Sequence, residues 1–184
     1  STTITVAKAA ATLSAMPSIT KNFGDIAFTL VAPTSAATGA VTFASNDTNV
    51  VSISGNTITI IGAGTATVTA TQATDANYLE ATTSFELTVN KIAPSLGVMT
   101  AISKTFGDAN FTITPPSTNS SGGLTYTSSD TNVATITGDV VTIVGAGTAS
   151  IAVAQATDSN YLAATTSVSI TVSKAPIVFG TTAV

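Results

Sequence analysis

The chain contains no cysteine, no histidine and no arginine among its 184 residues. Without Cys and His it has no disulfides, none of the usual thiolate or imidazole metal ligands, and no Cys or His nucleophile–base system. Charge is scarce as well: charged residues make up 8% of the chain, against roughly 25% in ordinary globular domains. The five basic residues are all Lys and are dispersed as Lys8, Lys21, Lys91, Lys104 and Lys174. So spread, they cannot neutralise a row of phosphates, which argues against nucleic acid as a partner. No apolar run is long enough to span a membrane and no secretion signal stands in these residues, so they do not report their own targeting. Lack of Cys leaves the redox compartment open, although cysteine-free sandwiches suit an extracellular array in which stray thiols would cross-link neighbours.

What the chain has in abundance is threonine, 38 residues of it. A Thr hydroxyl faces water while its β-branched frame favours an extended backbone, so solubility is kept with few charges. In Thr65-Ala66-Thr67-Val68-Thr69-Ala70-Thr71 hydroxylic and apolar residues alternate, the period of a half-buried strand. The matching inner face downstream is Ala149, Ile151 and Val153, with a looser outer face of Thr148, Ser150 and Ala152. No window shows a helical period.

The chain also repeats itself at an offset of 83 residues without insertion or deletion. Phe23-Gly24-Asp25 returns as Phe106-Gly107-Asp108, Asp47-Thr48-Asn49-Val50 as Asp130-Thr131-Asn132-Val133, and Gln72-Ala73-Thr74-Asp75 as Gln155-Ala156-Thr157-Asp158. Between Lys8–Asn90 and Lys91–Ser173 there are 41 identities in 83 positions. That period exceeds the usual solenoid unit and suffices for a small domain with its own core. Ser1–Lys8 matches Ser84–Lys91, and Lys174-Ala175-Pro176 resembles the Lys91–Pro94 junction. The expected organisation is therefore residues 1–8 as the closing strand of a preceding repeat, 9–91 as repeat one, 92–174 as repeat two, and 175–184 as the opening strand of a following repeat.

Within repeat one the pattern predicts seven strands: Leu13 to Phe23, interrupted by Pro17, then Ala27 to Val31, Val41 to Ser45, Val50 to Ser54, Thr57 to Ile61, Thr65 to Ala73 and Thr82 to Asn90. Gly55-Asn56 and Gly138-Asp139 fit two-residue type II′ hairpin turns. The expected core is Phe28, Leu30, Val41, Phe43, Ile53, Ile58, Ile60, Ala66, Val68, Leu87 and Val89, with counterparts 83 residues on. Short strands separated by regular turns give an all-β fold of tandem sandwiches.

These segments resemble a known family. Val41-Thr42-Phe43-Ala44-Ser45-Asn46, Val50-Val51-Ser52-Ile53-Ser54-Gly55-Asn56 and Gly62-Ala63-Gly64-Thr65-Ala66-Thr67-Val68 are similar to the bacterial immunoglobulin-like domains of group 2. So are Leu124-Thr125-Tyr126-Thr127-Ser128-Ser129, Val133-Ala134-Thr135-Ile136 and Gly145-Ala146-Gly147-Thr148-Ala149-Ser150-Ile151. The resemblance spans both repeats and implies immunoglobulin-like sandwiches of seven strands, used as stalk modules in large bacterial surface proteins, adhesins and some phage structural proteins. It carries no catalytic residues.

The functional expectation is a stalk or spacer segment of an extracellular surface or adhesin protein, non-enzymatic, whose partners are neighbouring repeats of its own chain. The short Lys91-Ile92-Ala93-Pro94 junction, lacking a Gly/Ser linker, suggests a semi-rigid rod, each unit adding roughly 35–40 Å at ~3.3 Å per strand residue. Two alternatives stand beside it: a filament or virion-fibre subunit associating with other copies by strand addition, and a glycan- or protein-binding module. No cofactor is expected. The candidate metal ligands are Asp75 and Asn77, with Asp158 and Asn160, which would offer oxygens to Ca²⁺ near a domain end. Against that, Asp and Asn form turns, and Tyr78 and Tyr161 would pack inward as in a tyrosine corner. Gly62-x-Gly64 lacks the further glycines and following helix of a phosphate loop. Lys21 and Lys104 are candidates for an internal Lys–Asn cross-link, and the Thr rows for an ice or carbohydrate surface. Asp25, Asp47 and Asp75 each stand in a turn with a local role there.

Overall fold

The computed structural model describes residues 1–177. The chain divides into two compact units, one ending at Ile92 and the other beginning at Ala93. Unit one contains β1 (Ile19–Asn22), β2 (Phe28–Thr29), β3 (Val41–Ser45), β4 (Val51–Ser54), β5 (Thr57–Ile60), β6 (Gly64–Gln72) and β7 (Ala81–Asn90). Unit two contains β8 (Ile102–Thr105), β9 (Phe111–Thr112), β10 (Leu124–Ser128), β11 (Ala134–Thr137), β12 (Val140–Ile143), β13 (Gly147–Gln155) and β14 (Ala164–Ser173). Each unit is an immunoglobulin-like sandwich of a four-stranded and a three-stranded sheet. In unit one the orders are β1-β7-β6-β3 and β2-β5-β4; in unit two they are β8-β14-β13-β10 and β9-β12-β11. Pairing is antiparallel except that β1 joins β7, and β8 joins β14, in parallel.

The alternating pattern explains this arrangement. Along β6 the apolar Ala66, Val68 and Ala70 are buried while Thr65 and Thr67 face water, and β7 buries Phe85, Leu87 and Val89 between exposed Ser84 and Glu86. The register sets Ala66 opposite Leu87 and Val68 opposite Phe85, so the inner face of the long hairpin is apolar over these pairs. Ile58 and Val51 from the other sheet close the core. The hairpin turns contain Gly55 and Gly138, each at φ +60°, and no other residue type has positive φ among the described residues. One positive φ followed by a negative one is the type II′ signature.

Three expectations shift. The predicted core omitted Val50, Val51 and Phe85, all buried, while Val41 is half-buried and lies outside the main cluster. Val50 is recruited from a turn, where its carbonyl accepts the N–H groups of both Ile61 and Gly62. The first edge strand occupies only Ile19–Asn22 rather than Leu13 to Phe23, because the preceding chain serves a different partner. The Ser14 N–H donates to the Thr34 carbonyl at 3.0 Å, and the Ala9 N–H to the Asn77 carbonyl at 2.8 Å. Pro17 is not the cause, since Thr100 stands at that place in unit two and β8 is equally short. The predicted opening strand over 175–184 falls, beyond Ile177, outside the described residues, and Ser1–Lys8 forms no strand.

Candidate functional site

Pairing of Val41 with Gln72, and of Leu124 with Gln155, brings two loops to the same end of each sandwich. In unit one these are residues 31–40 and 73–80; in unit two they are 114–123 and 156–163. The candidate ligands Asp75, Asn77, Asp158 and Asn160 all stand in the second loop of each pair.

Asp75 binds that loop to itself and to its neighbour. Its Oδ1 accepts the Asn77 N–H at 2.8 Å and the Tyr78 N–H at 2.7 Å, while Oδ2 accepts the Thr38 N–H at 2.7 Å and the Thr38 hydroxyl at 3.1 Å. Asp158 repeats the device with more donors. Oδ1 takes the Asn160 and Tyr161 N–H groups at 2.8 and 2.7 Å. Oδ2 takes the Ser121 N–H and the Ser121 and Ser120 hydroxyls at 2.8, 3.0 and 2.9 Å. The Asp75 carboxyl is lowered to about 2, led by the backbone N–H of Thr38 and then that of Asn77. At Asp158 desolvation pushes the other way, yet the Ser121, Tyr161 and Asn160 N–H groups hold the carboxyl well below its ordinary value.

Carboxylate oxygens that each accept two or three hydrogen bonds from the loops have a sufficient role as turn anchors. Asn77 and Asn160 meet the Asp through their backbone N–H groups, as turn residues do. No cluster of three or more His, Cys, Asp or Glu side chains that could hold a metal ion exists among the described residues. The loop is anchored by Asp, and Tyr78 joins in through its backbone. Its N–H meets Asp75, and its carbonyl accepts the Asp75 N–H and the Thr74 hydroxyl.

Two residues that sequence reasoning left without a role complete the arrangement. Gln72 is buried, and its Nε2 donates to the carbonyls of Ala37 at 2.9 Å and Gly39 at 3.2 Å. Gln155 donates likewise to Ser120 and Gly122 at 3.1 Å each, and its Oε1 accepts the Thr118 hydroxyl at 2.8 Å. In unit one Ser35 replaces that Thr, and Gln72 Oε1 is left without a partner. The signal was present in the repeat: a Gln retained at an inward strand position in both copies marks a buried polar group with a fixed partner.

The other singled-out side chains have local roles. Asp25 and Asp108 accept the N–H of Asn22 and Thr105 at 2.9 Å, and Asp47 and Asp130 accept those of Asn49 and Asn132 at 2.9 Å. Lys21 Nζ lies 4.9 Å above the Phe28 ring and Lys104 Nζ 4.6 Å above Phe111, a cation–π placement.

The Asp anchors make a pH prediction. A carboxyl lowered in the folded state stabilises above its unfolded value, and that contribution disappears as pH falls through the folded value. Unit one should therefore lose stability between about pH 4 and pH 2. Asp75→Asn should lower the melting midpoint at pH 7 and flatten its dependence over that window, and Ca²⁺ should melt at the same midpoint as chelator. Thermal melts from pH 2 to 7 read this, and an unaltered pH slope in D75N would refute it.

No family model matches the chain, and no curated protein matches it. Solved structures resemble it at low identity. A Drosophila N-cadherin EC1-4 structure is 11% identical over 86% of this chain and 48% of that one, with a TM-score of 0.37. The S-layer protein SbsC domains 4 and 5 are 22% identical over 72% and 70%, TM-score 0.32. The endo-fucoidan hydrolase MfFcnA4 of glycoside hydrolase family 107 is 16% identical over 91% and 29%, TM-score 0.38. The chain thus spans about half the length of the cadherin structure and under a third of the hydrolase. At such identities the likeness is one of fold alone.

Proposed function

We propose that this chain is a spacer segment of an extracellular surface or adhesin-like protein, built from immunoglobulin-like modules of the bacterial group 2 type and lacking catalysis. The observation that carries the reading is the 83-residue repeat with 41 identities, in which each copy has its own complete core. The singled-out turn and loop carboxylates support the non-catalytic part, because each already serves a local turn or loop.

Stiffness is the mechanical half of the proposal. Asn90 is still paired with Asn22 in unit one. In unit two, the Ser95 N–H bonds the Asn119 carboxamide at 2.8 Å and the Gly97 N–H bonds the Ser117 carbonyl at 2.8 Å. Only Lys91–Pro94 lie between these anchor points, and Pro94 removes one torsion and one donor. The spacer reading expects a junction this short to restrict bending, so that reach grows with module number.

A second reading, association of copies by strand addition, draws on Ser1–Lys8. Ile4 and Val6 alternate like a strand, belong to none, and are 85% and 87% exposed. Small-angle scattering over a concentration series separates the two. The spacer reading expects one narrow, extended length distribution independent of concentration. A broad or freely hinged distribution would sink it, and mass rising with concentration would favour strand addition.

A further inference from the structure

We propose that Asn110 is an acceptor for N-linked glycosylation, which rests on the extracellular reading above. The sequence contains three Asn-x-Ser/Thr triplets, at Asn46-Asp47-Thr48, Asn110-Phe111-Thr112 and Asn119-Ser120-Ser121. In a chain so rich in hydroxyl residues the triplets by themselves carry little weight. The structure separates them.

Modification needs a carboxamide that the fold leaves free to turn into the enzyme and a hydroxyl two residues on that is free to engage it. Asn46 fails the first condition. Its Oδ1 accepts the Thr67 N–H at 2.8 Å while its own N–H donates to the Thr67 carbonyl at 3.1 Å, so it is clamped to β6 from both sides. Asn119 fails both. Its Oδ1 accepts the Ser95 N–H at 2.8 Å, and the Ser121 hydroxyl is committed to Asp158 at 3.0 Å in the anchored loop. Asn110 meets both. It stands exposed between β8 and β9, and among the described residues neither its carboxamide nor the Thr112 hydroxyl has a protein partner.

The surroundings fit. β9 is an edge strand paired only with β12, so the backbone of the triplet is approachable from its open side. Phe111 and Thr112 also line a groove of about 400 Å³ that includes Val98, which is 99% exposed. A bulky hydrophilic group at Asn110 would shield an open strand edge and exposed apolar surface from other chains. Unit one has Ala27 at the equivalent place, so the modification would distinguish one repeat from the other. In the transfer, Asn110 Nδ2 bonds to the anomeric carbon of a sugar activated as a lipid-linked diphosphate ester. The anomeric C–O bond breaks, the lipid diphosphate leaves with the electron pair, and Nδ2 gives up one proton.

The test is to secrete the full chain behind a leader peptide from a eukaryotic host with an Asn-glycosylating pathway and to peptide-map the product collected from the medium. The expected result is glycan on the peptide containing Asn110 and on neither other triplet, lost in N110Q and in T112V, with the melting midpoint of T112V unchanged. A bare Asn110 in secreted protein, equal occupancy at Asn46 or Asn119, or glycan persisting in T112V would overturn the proposal. The leader supplies export in this experiment, so its failure concerns the acceptor alone. Protease shaving of intact source cells reads the extracellular location separately.

Discussion

Leu87→Ala should lower the melting midpoint of unit one by roughly 8–40 °C while the transition of unit two stays where it was. Leu87 is fully buried in β7, opposite Ala66 and next to the parallel pairing with Ile19. Truncating a buried Leu costs about 2–5 kcal/mol through lost transfer energy and the cavity left behind. In a domain of this size each kcal/mol moves the midpoint by about 4–8 °C. Its counterpart Ile170 is also fully buried, in β14, and Ile170→Ala should give the mirror result. The two buried clusters share no residue, so the loss is confined to one. Differential scanning calorimetry of the two-unit chain checks this. A single transition moving as a whole in both variants would contradict independent folding and weaken the modular spacer reading.

Gly122→Ala should cost unit two about 2–4 kcal/mol, combining overpacking against rigid backbone with a weakened buried hydrogen bond. A Cβ on Gly122 would fall on the Ala156 carbonyl oxygen, so the loop must move away from the end of β13. That displaces the Ser120 and Gly122 carbonyls, which are the acceptors of the buried Gln155 amide. Gly123→Ala is the control. A Cβ there meets nothing within 4 Å, and unit one already has Ala40 at that place. Denaturant unfolding of both variants measures the difference. Equal midpoints for G122A and G123A would show that the close approach is not what selects glycine. Gly39→Ala should behave as G122A does, since its Cβ would fall on the Ala73 carbonyl oxygen.

Much of this architecture was legible because strand identity is a local property. The alternation in Thr65–Thr71, the Gly55-Asn56 turn and the apolar spacing of Leu87 and Val89 each specify an extended segment or its end within a few residues. Their positions in β4 to β7 match to within one residue. The first edge strand was not legible, because its partner changes midway from the loops near Asn77 and Thr34 to β7, and no local residue preference encodes such a change. The candidate site divides along the same line. The Asp75 and Asp158 loops were recognisable as turns. That their carboxylates are saturated depends on Thr38, Ser120 and Ser121, which lie 37 or 38 residues away.

By itself the sequence determined the all-β class, the 83-residue module, and the exclusion of thiol, imidazole and poly-basic chemistry, because composition and short-range periodicity need no fold to be read. Only the tertiary structure decided which polar groups are occupied. It gave the Asp75 and Asp158 carboxylates their loop donors and Gln72 and Gln155 their carbonyl partners, tied down Asn46 and Asn119, and left Asn110 open. Hydrogen-bond saturation and steric access depend on which distant segments the strand pairing brings together.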